Sequence, residues 1–155
     1  MSIPLFDLVL RWVHILAAVI AVGGVFFMRV VLMPAARSLP DEAHDTFRQK
    51  LLARWRPVLH SCMGLLLLSG LVRIFMVIPL HKSQMAYHAA LGIKVMLALI
   101  MFVIGAALVG RNPAFDEMRK SSAKWLLLSL ALAVVVVCLG GFLGLLPETQ
   151  PPVSP

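Results

Sequence analysis

Ionisable side chains lie inside long runs of apolar residues, where a charge is costly and a functional role is the default interpretation. The candidates among them are Arg11, His14, His60, Arg73, His88 and Lys94. A neutral imidazole can ligate a metal ion or a haem iron, and cationic side chains can pair with the carboxylates of a cofactor. The residue types therefore predict a site for a metal or a metal-containing cofactor among the apolar segments.

If each run is a helix rising about 1.5 Å per residue, the estimated depths of most of these side chains fall in one half of a bilayer. The residues that share this half are Arg11, His14, Arg73, His88 and Lys94. His60 falls in the opposite half, and Tyr87 shares a stripe of small residues with Lys94. His44 and His81 lie outside these depths, and we expect both to be solvated.

Four apolar runs must position these side chains. They cover about residues 5–33, 58–80, 86–109 and 125–146. Each is long enough for a transmembrane helix, which needs roughly 20 apolar residues. Apolar residues make up 61% of the 155 residues and the mean hydropathy is +0.94, which excludes an ordinary soluble domain. The sequence therefore predicts an all-α integral membrane protein, a bundle of four helices in a lipid bilayer.

Basic residues concentrate in two of the connections. The end of span one and the connections after spans one and three together carry ten of the 14 Lys and Arg residues, whereas the remaining connection has only Lys82. The positive-inside rule then predicts two cytoplasmic basic loops, with both termini outside in the periplasm. This places the protein in the inner (cytoplasmic) membrane. The net charge of +7 reflects this topology, and we expect no nucleic-acid partner.

The sequence pattern predicts secondary structure within the first basic connection. An amphipathic stretch over about residues 40–53 predicts a short helix on the membrane surface. We expect it to end near Arg54 and Pro57, because proline suits the first turn of the helix that follows. Residues 1–146 then form one domain, and the proline-rich residues 147–155 are expected to be a disordered tail.

A resemblance to the copper-resistance D (CopD) type membrane domain is carried by three stretches, WVHILAAVIAVGGVFFMRVVLMPAAR, LLLLSGLVR and LGIKVMLALIMFVIGAALVGRN. They resemble its successive helices over roughly residues 9 to 146. The same superfamily includes the HemJ type of protoporphyrinogen oxidase, which binds a b-type haem. His14 and Lys94 match a functional histidine and lysine of that type. The chain differs from it at Ala21, where HemJ has tryptophan, and near Gly92, where HemJ has histidine.

The resemblance implies a haem b redox protein, and helix bundles can hold a porphyrin between inward histidines. The candidate axial ligands are His14 with His88, or His14 with His60. The other candidate contacts are Arg11, Arg73, Lys94 and Tyr87. Of these, Lys94 and Arg73 are also the candidate catalytic residues. We expect electron transfer or oxidation, with a porphyrin, a quinone or a redox protein as partner.

Two alternatives stay open. Copper handling is the first, because thioether and thiolate ligands select Cu(I) and because His60, Cys62 and Met63 lie close in sequence. A structural subunit of a larger membrane complex is the second. Gly140 and Gly144 predict close helix packing in span four, with a homodimer as one use of it. Hydrolysis and nucleotide chemistry have no motif in the sequence.

Overall fold

The computed structural model describes residues 3–81 and 84–146. Its helices are α1 (Ile3–Phe27), α2 (Met33–Ala36), α3 (Asp41–Val77), α4 (Met85–Val109), α5 (Asp116–Lys120) and α6 (Ser122–Leu145). Shorter turns of other helix types are a π-helix at Met28–Leu32 and 3-10 helices at Ile78–His81 and Pro113–Phe115. The tail expected over residues 147–155 lies outside the described part of the chain.

The predicted all-α architecture is confirmed, since four helices are long and apolar enough to cross a membrane. A helix is the natural form for such segments, because it satisfies every backbone hydrogen bond internally where no water is available. Large apolar side chains cover the outside of the bundle. Leu68, Phe75 and Val134, for example, are between 63% and 70% exposed, as suits a surface that meets lipid.

The structure differs from the sequence prediction at the start of span two. No separate surface helix covers residues 40–53, because α3 runs without a break for 37 residues through Pro57. Proline removes one hydrogen bond from a helix, and the turns on either side maintain the rest. At about 1.5 Å per residue α3 is roughly 55 Å long, and the hydrocarbon core is about 30 Å thick. The first turns of α3 therefore project beyond the membrane.

The long helices associate as two pairs, with α1 packed mainly on α3 and α4 packed mainly on α6. Within the first pair, the indole ring of Trp55 lies directly over Gly24, so that a Cβ atom at Gly24 would collide with it. The absence of a side chain at this glycine allows the two helices to approach closely. The two pairs meet each other less extensively, which leaves space between them.

Arginine side chains join the two pairs at one end of the bundle. Arg56 Nε donates a hydrogen bond of 2.6 Å to the carbonyl oxygen of Val109, at the end of α4. Arg29, in the π-helix at Met28–Leu32, donates one of 3.2 Å to the carbonyl oxygen of Ala123 in α6. We call this the basic end, because the two basic connections lie here. The carbonyl of Val109 is a natural acceptor for such a cation, because the last carbonyl groups of a helix lack partners within it.

Candidate functional site

A cavity of about 1040 Å³ lies between the two helix pairs and is lined by all four long helices. Cavities of several hundred Å³ are typical of sites for cofactors and other small molecules. The lining includes eight Lys and Arg side chains and, within the described residues, no Asp or Glu. Three of the eight, Arg11, Arg73 and Lys94, lie in the half that also holds His14. We call this part of the cavity the histidine half.

His14 is held in a defined orientation by a serine of the neighbouring helix. Ser69 Oγ lies 2.8 Å from His14 Nδ1 and 2.5 Å from the carbonyl oxygen of Leu65. The carbonyl can only accept, so the single hydroxyl hydrogen of Ser69 is directed to it. The Ser69 oxygen therefore accepts a hydrogen bond from Nδ1–H of His14. In a neutral ring this leaves Nε2 with its lone pair, and no described residue bonds to it.

Small residues make room around this imidazole. Ser69 itself is 2% exposed, so the hydrogen bond is sealed inside the packing of α1 on α3. A Cβ atom on Gly70 would lie 3.5 Å from His14 Cε1, which is ordinary contact. Ala18 and Ala21, one and two turns further along α1, line the cavity beside it. The imidazole therefore borders an open space lined by small side chains.

Lys94 reaches into the same half of the cavity from α4. Its Nζ would lie 3.2 Å from a Cβ atom on Gly140, so this glycine of α6 makes room for the ammonium group. A Cβ on Gly144 would meet nothing within 4 Å. Within the chain, these two glycines therefore do not bring two helix backbones together, as the sequence predicted that they would. Gly140 accommodates a lysine, and Gly144 borders the cavity.

Asp7 is a member of the site that the sequence interpretation missed. One carboxylate oxygen accepts a hydrogen bond of 2.7 Å from Arg11 Nε, and the other lies 3.3 Å from Arg73 Nε. The spacing of four residues between Asp7 and Arg11 on one helix was the signal that could have found it. Asp7 thus partly neutralises the two arginines, whereas Lys94 has no carboxylate partner among the described side chains.

Tyr87 and His81 form an aromatic stack at the edge of the histidine half. Their ring centroids are 3.9 Å apart with planes at 11°, and both side chains line the cavity. His81 is 3% exposed and its Nδ1 lies 3.2 Å from the carbonyl oxygen of Val77. The expectation that His81 is solvated was therefore wrong. His81 is buried because its ring stacks on Tyr87, a contact that its position at the end of a helix did not indicate.

Two of the histidines predicted as ligands are not brought to His14. His60 is exposed on the outside of α3, where its Nδ1 donates a hydrogen bond of 2.7 Å to the carbonyl oxygen of Arg56. His88 lies edge-on to Tyr87, with centroids 5.9 Å apart, and neither histidine lines the cavity. The reason is helical phase, because the cavity-lining residues beside them in sequence are Leu59 on α3 and Tyr87 on α4.

The copper ligands considered for α3 are also separated. Cys62 is buried, whereas His60 is exposed on a different face of the same helix. In the part of the chain that is described, no group of three or more His, Cys, Asp or Glu side chains comes together to hold a metal ion. A site built from three or more ligands of these four residue types therefore has no support from the described residues.

Fold and site together define this chain as a helical protein of the membrane-spanning class, with four candidate spans and a cationic cavity between two helix pairs. Comparison of the chain with family models, with curated proteins and with solved structures found no match. The functional interpretation therefore depends on the geometry of the cavity and on the chemistry of its lining residues.

Proposed function

We propose that the cavity binds a b-type haem and that His14 is the protein ligand to its iron, in a membrane redox protein of the CopD/HemJ kind. The observation that carries this proposal is the orientation of the His14 ring. A hydrogen bond from Nδ1–H to a fixed acceptor is how proteins orient an imidazole whose Nε2 ligates a metal. Ser69 is such an acceptor, at 2.8 Å, and His14 lines a cavity large enough for a cofactor.

The charges of the histidine half suit an anionic cofactor. Haem carries two propionate groups, which need cationic partners in a membrane interior. Lys94 and Arg73 line the same half of the cavity as His14. Asp7 compensates only part of this positive charge, through Arg11 and Arg73. An anionic ligand beside His14 would complete the charge balance.

The lining also suits a flat ring. Ala18 and Ala21 on α1 and Ala98 on α4 contribute small side chains to the cavity wall. Tyr87 adds an aromatic face next to the same space. Planar apolar molecules fit between helices where small residues alternate with aromatic ones, because neither obstructs the plane of the ring.

When bound, haem supplies one-electron redox chemistry. Of the candidate ligands His14, His60 and His88, His14 is the one that lines the cavity, and it would hold the haem iron. The proposed reaction is electron transfer or the oxidation of a small substrate, such as a porphyrin or a quinone. In that reaction Lys94 and Arg73 would bind and orient acidic groups of the substrate or cofactor.

We also propose the inner membrane as the location, with the basic end in the cytoplasm and both chain termini in the periplasm. The proposal depends on the positive-inside rule, since ten of the 14 Lys and Arg residues flank the two connections at the basic end. The hydrogen bonds of Arg56 and Arg119 to backbone carbonyl groups at that end are consistent with a surface rich in fixed cations.

The visible spectrum of the purified protein tests the haem proposal. Protein from haem-replete cells should show a Soret band that shifts on reduction with dithionite. A colourless preparation with stoichiometric copper would overturn it in favour of copper handling. A colourless preparation without metal, obtained together with other membrane subunits, would overturn it in favour of a structural role.

A further inference from the structure

The basic end of the cavity is separate from the histidine half and has its own set of cations. They are Arg29, Arg37, Arg48, Arg119 and Lys120, and all five line the cavity. They come from the end of span one, from the projecting turns of α3 and from α5. Residues distant in sequence are thus gathered around one opening, which the proposed haem site does not use.

The charge at this opening is not balanced by the chain. Arg119 pairs with Asp116 and Lys120 pairs with Glu117, so two of the five cations have carboxylate partners. Arg29, Arg37 and Arg48 form no ion pair with any described side chain. Several guanidinium groups around one opening favour an anion with several oxygen atoms, because each guanidinium presents a fork of donors that matches phosphate.

The wall behind the cations is apolar. Phe47 and Leu51 of α3 line the cavity next to Arg48, and Leu32 and Leu126 contribute from the other side of the opening. A ligand that extends inward from the cations would therefore contact hydrocarbon along its length. A free phosphate ion would leave this surface empty, whereas a phosphate ester with acyl chains would occupy both parts.

We infer that the basic end binds one anionic phospholipid, with its phosphate among Arg37, Arg48 and Arg29 and an acyl chain in the cavity. Basic pockets between transmembrane helices are suited to anionic headgroups, since the lipid brings charge and hydrocarbon in the same molecule. Arg29 and Arg119 also donate hydrogen bonds to backbone carbonyl groups, and they are therefore already fixed in place when the lipid binds. This inference does not depend on the haem proposal.

The test is lipid retention by the full chain. Protein reconstituted with equal amounts of phosphatidylglycerol and phosphatidylcholine is purified in detergent, and the lipids that remain bound are counted by native mass spectrometry. The wild type should retain one phosphatidylglycerol per chain. Replacement of Arg37 and Arg48 by glutamine should lower this retention at least about tenfold, because each cation near an anionic lipid contributes about 1 kcal/mol.

A matched control uses Lys50→Gln with Arg54→Gln, which removes the same charge from α3. Both residues are exposed and neither lines the cavity, so retention should stay at the wild-type level. If the glutamine pair at Arg37 and Arg48 does not fold, the Arg→Lys pair at the same positions should fold and retain the lipid. Equal loss in both glutamine pairs, equal retention of phosphatidylcholine, or displacement of the lipid by inorganic phosphate would each overturn the inference.

Discussion

The chemistry proposed at the scale of single residues depends on which atoms of His14 are already in use. Ser69 directs its hydrogen to Leu65 and accepts from Nδ1, so the ring presents Nε2 to the cavity. The hydroxyl of Ser69 is buried and cannot exchange its partners for water. A serine with no charge thereby determines which nitrogen of His14 is available to a ligand.

Substitution of Ser69 by alanine should weaken haem binding about 10- to 100-fold, the usual effect of removing a group that orients a metal ligand. The measurement is a haem titration of apoprotein, followed by the Soret band. Ser129→Ala is the matched control, because Ser129 is also buried and lines the cavity on α6. Equal affinities for both variants would show that the Ser69 hydroxyl does not orient the ligand.

Sequence reasoning located part of this site and missed part of it. Depth along a helix placed His14, Arg73 and Lys94 in one half of the bilayer, because the helical rise is regular. The partners of these residues were harder to find. Asp7 contacts Arg73 of another helix, and His81 is buried because Tyr87 stacks on it. Neither contact could be seen in the spacing of residues along the sequence.

At the scale of helices, close contacts occur at glycines, where a side chain of one helix lies against the backbone of another. Gly24 lies under the indole ring of Trp55, and Gly140 lies beside the ammonium group of Lys94. The number and type of the spans could be predicted, since length and hydropathy determine them. The continuity of α3 through Pro57 could not, because proline is compatible with both the first turn and the interior of a helix.

The contact between α1 and α3 makes a prediction for two adjacent glycines. Gly24→Ala should lower stability by about 1–3 kcal/mol, the range for overpacking a close contact, because its Cβ collides with Trp55. Gly23→Ala should leave stability unchanged or slightly higher, since a Cβ there meets nothing within 4 Å. Thermal unfolding of both variants in the same detergent is the measurement. A loss of similar size in both would contradict the packing described.

For the whole molecule, the distribution of charge is the dominant feature. Eight cations and, in the described chain, no carboxylates line one cavity that extends along the bundle. Such an interior attracts anions from either end. The histidine half and the basic end thus share one type of charge, but the histidine half also has the imidazole of His14, which Ser69 holds in one orientation.

Labelling of single cysteines tests the proposed orientation. In a chain with Cys62 and Cys138 replaced by alanine, Met85→Cys should react with a membrane-impermeant maleimide in cells whose outer membrane is permeabilised. Ala114→Cys should react only after the inner membrane is also disrupted. Both positions are exposed and lie at opposite ends of the bundle, so the two cysteines are matched in their accessibility to the reagent. The reverse pattern would place the basic end outside.

The haem content of His14→Ala tests the central claim most directly. The variant and the wild type are purified from haem-replete cells, and haem per chain is determined from the pyridine haemochrome spectrum. His60→Ala is the matched control, because His60 is a membrane-segment histidine that is exposed and does not line the cavity. We predict about one haem per chain in the wild type and the His60 variant, and almost none in the His14 variant. Unchanged haem content after removal of the His14 imidazole would contradict the account.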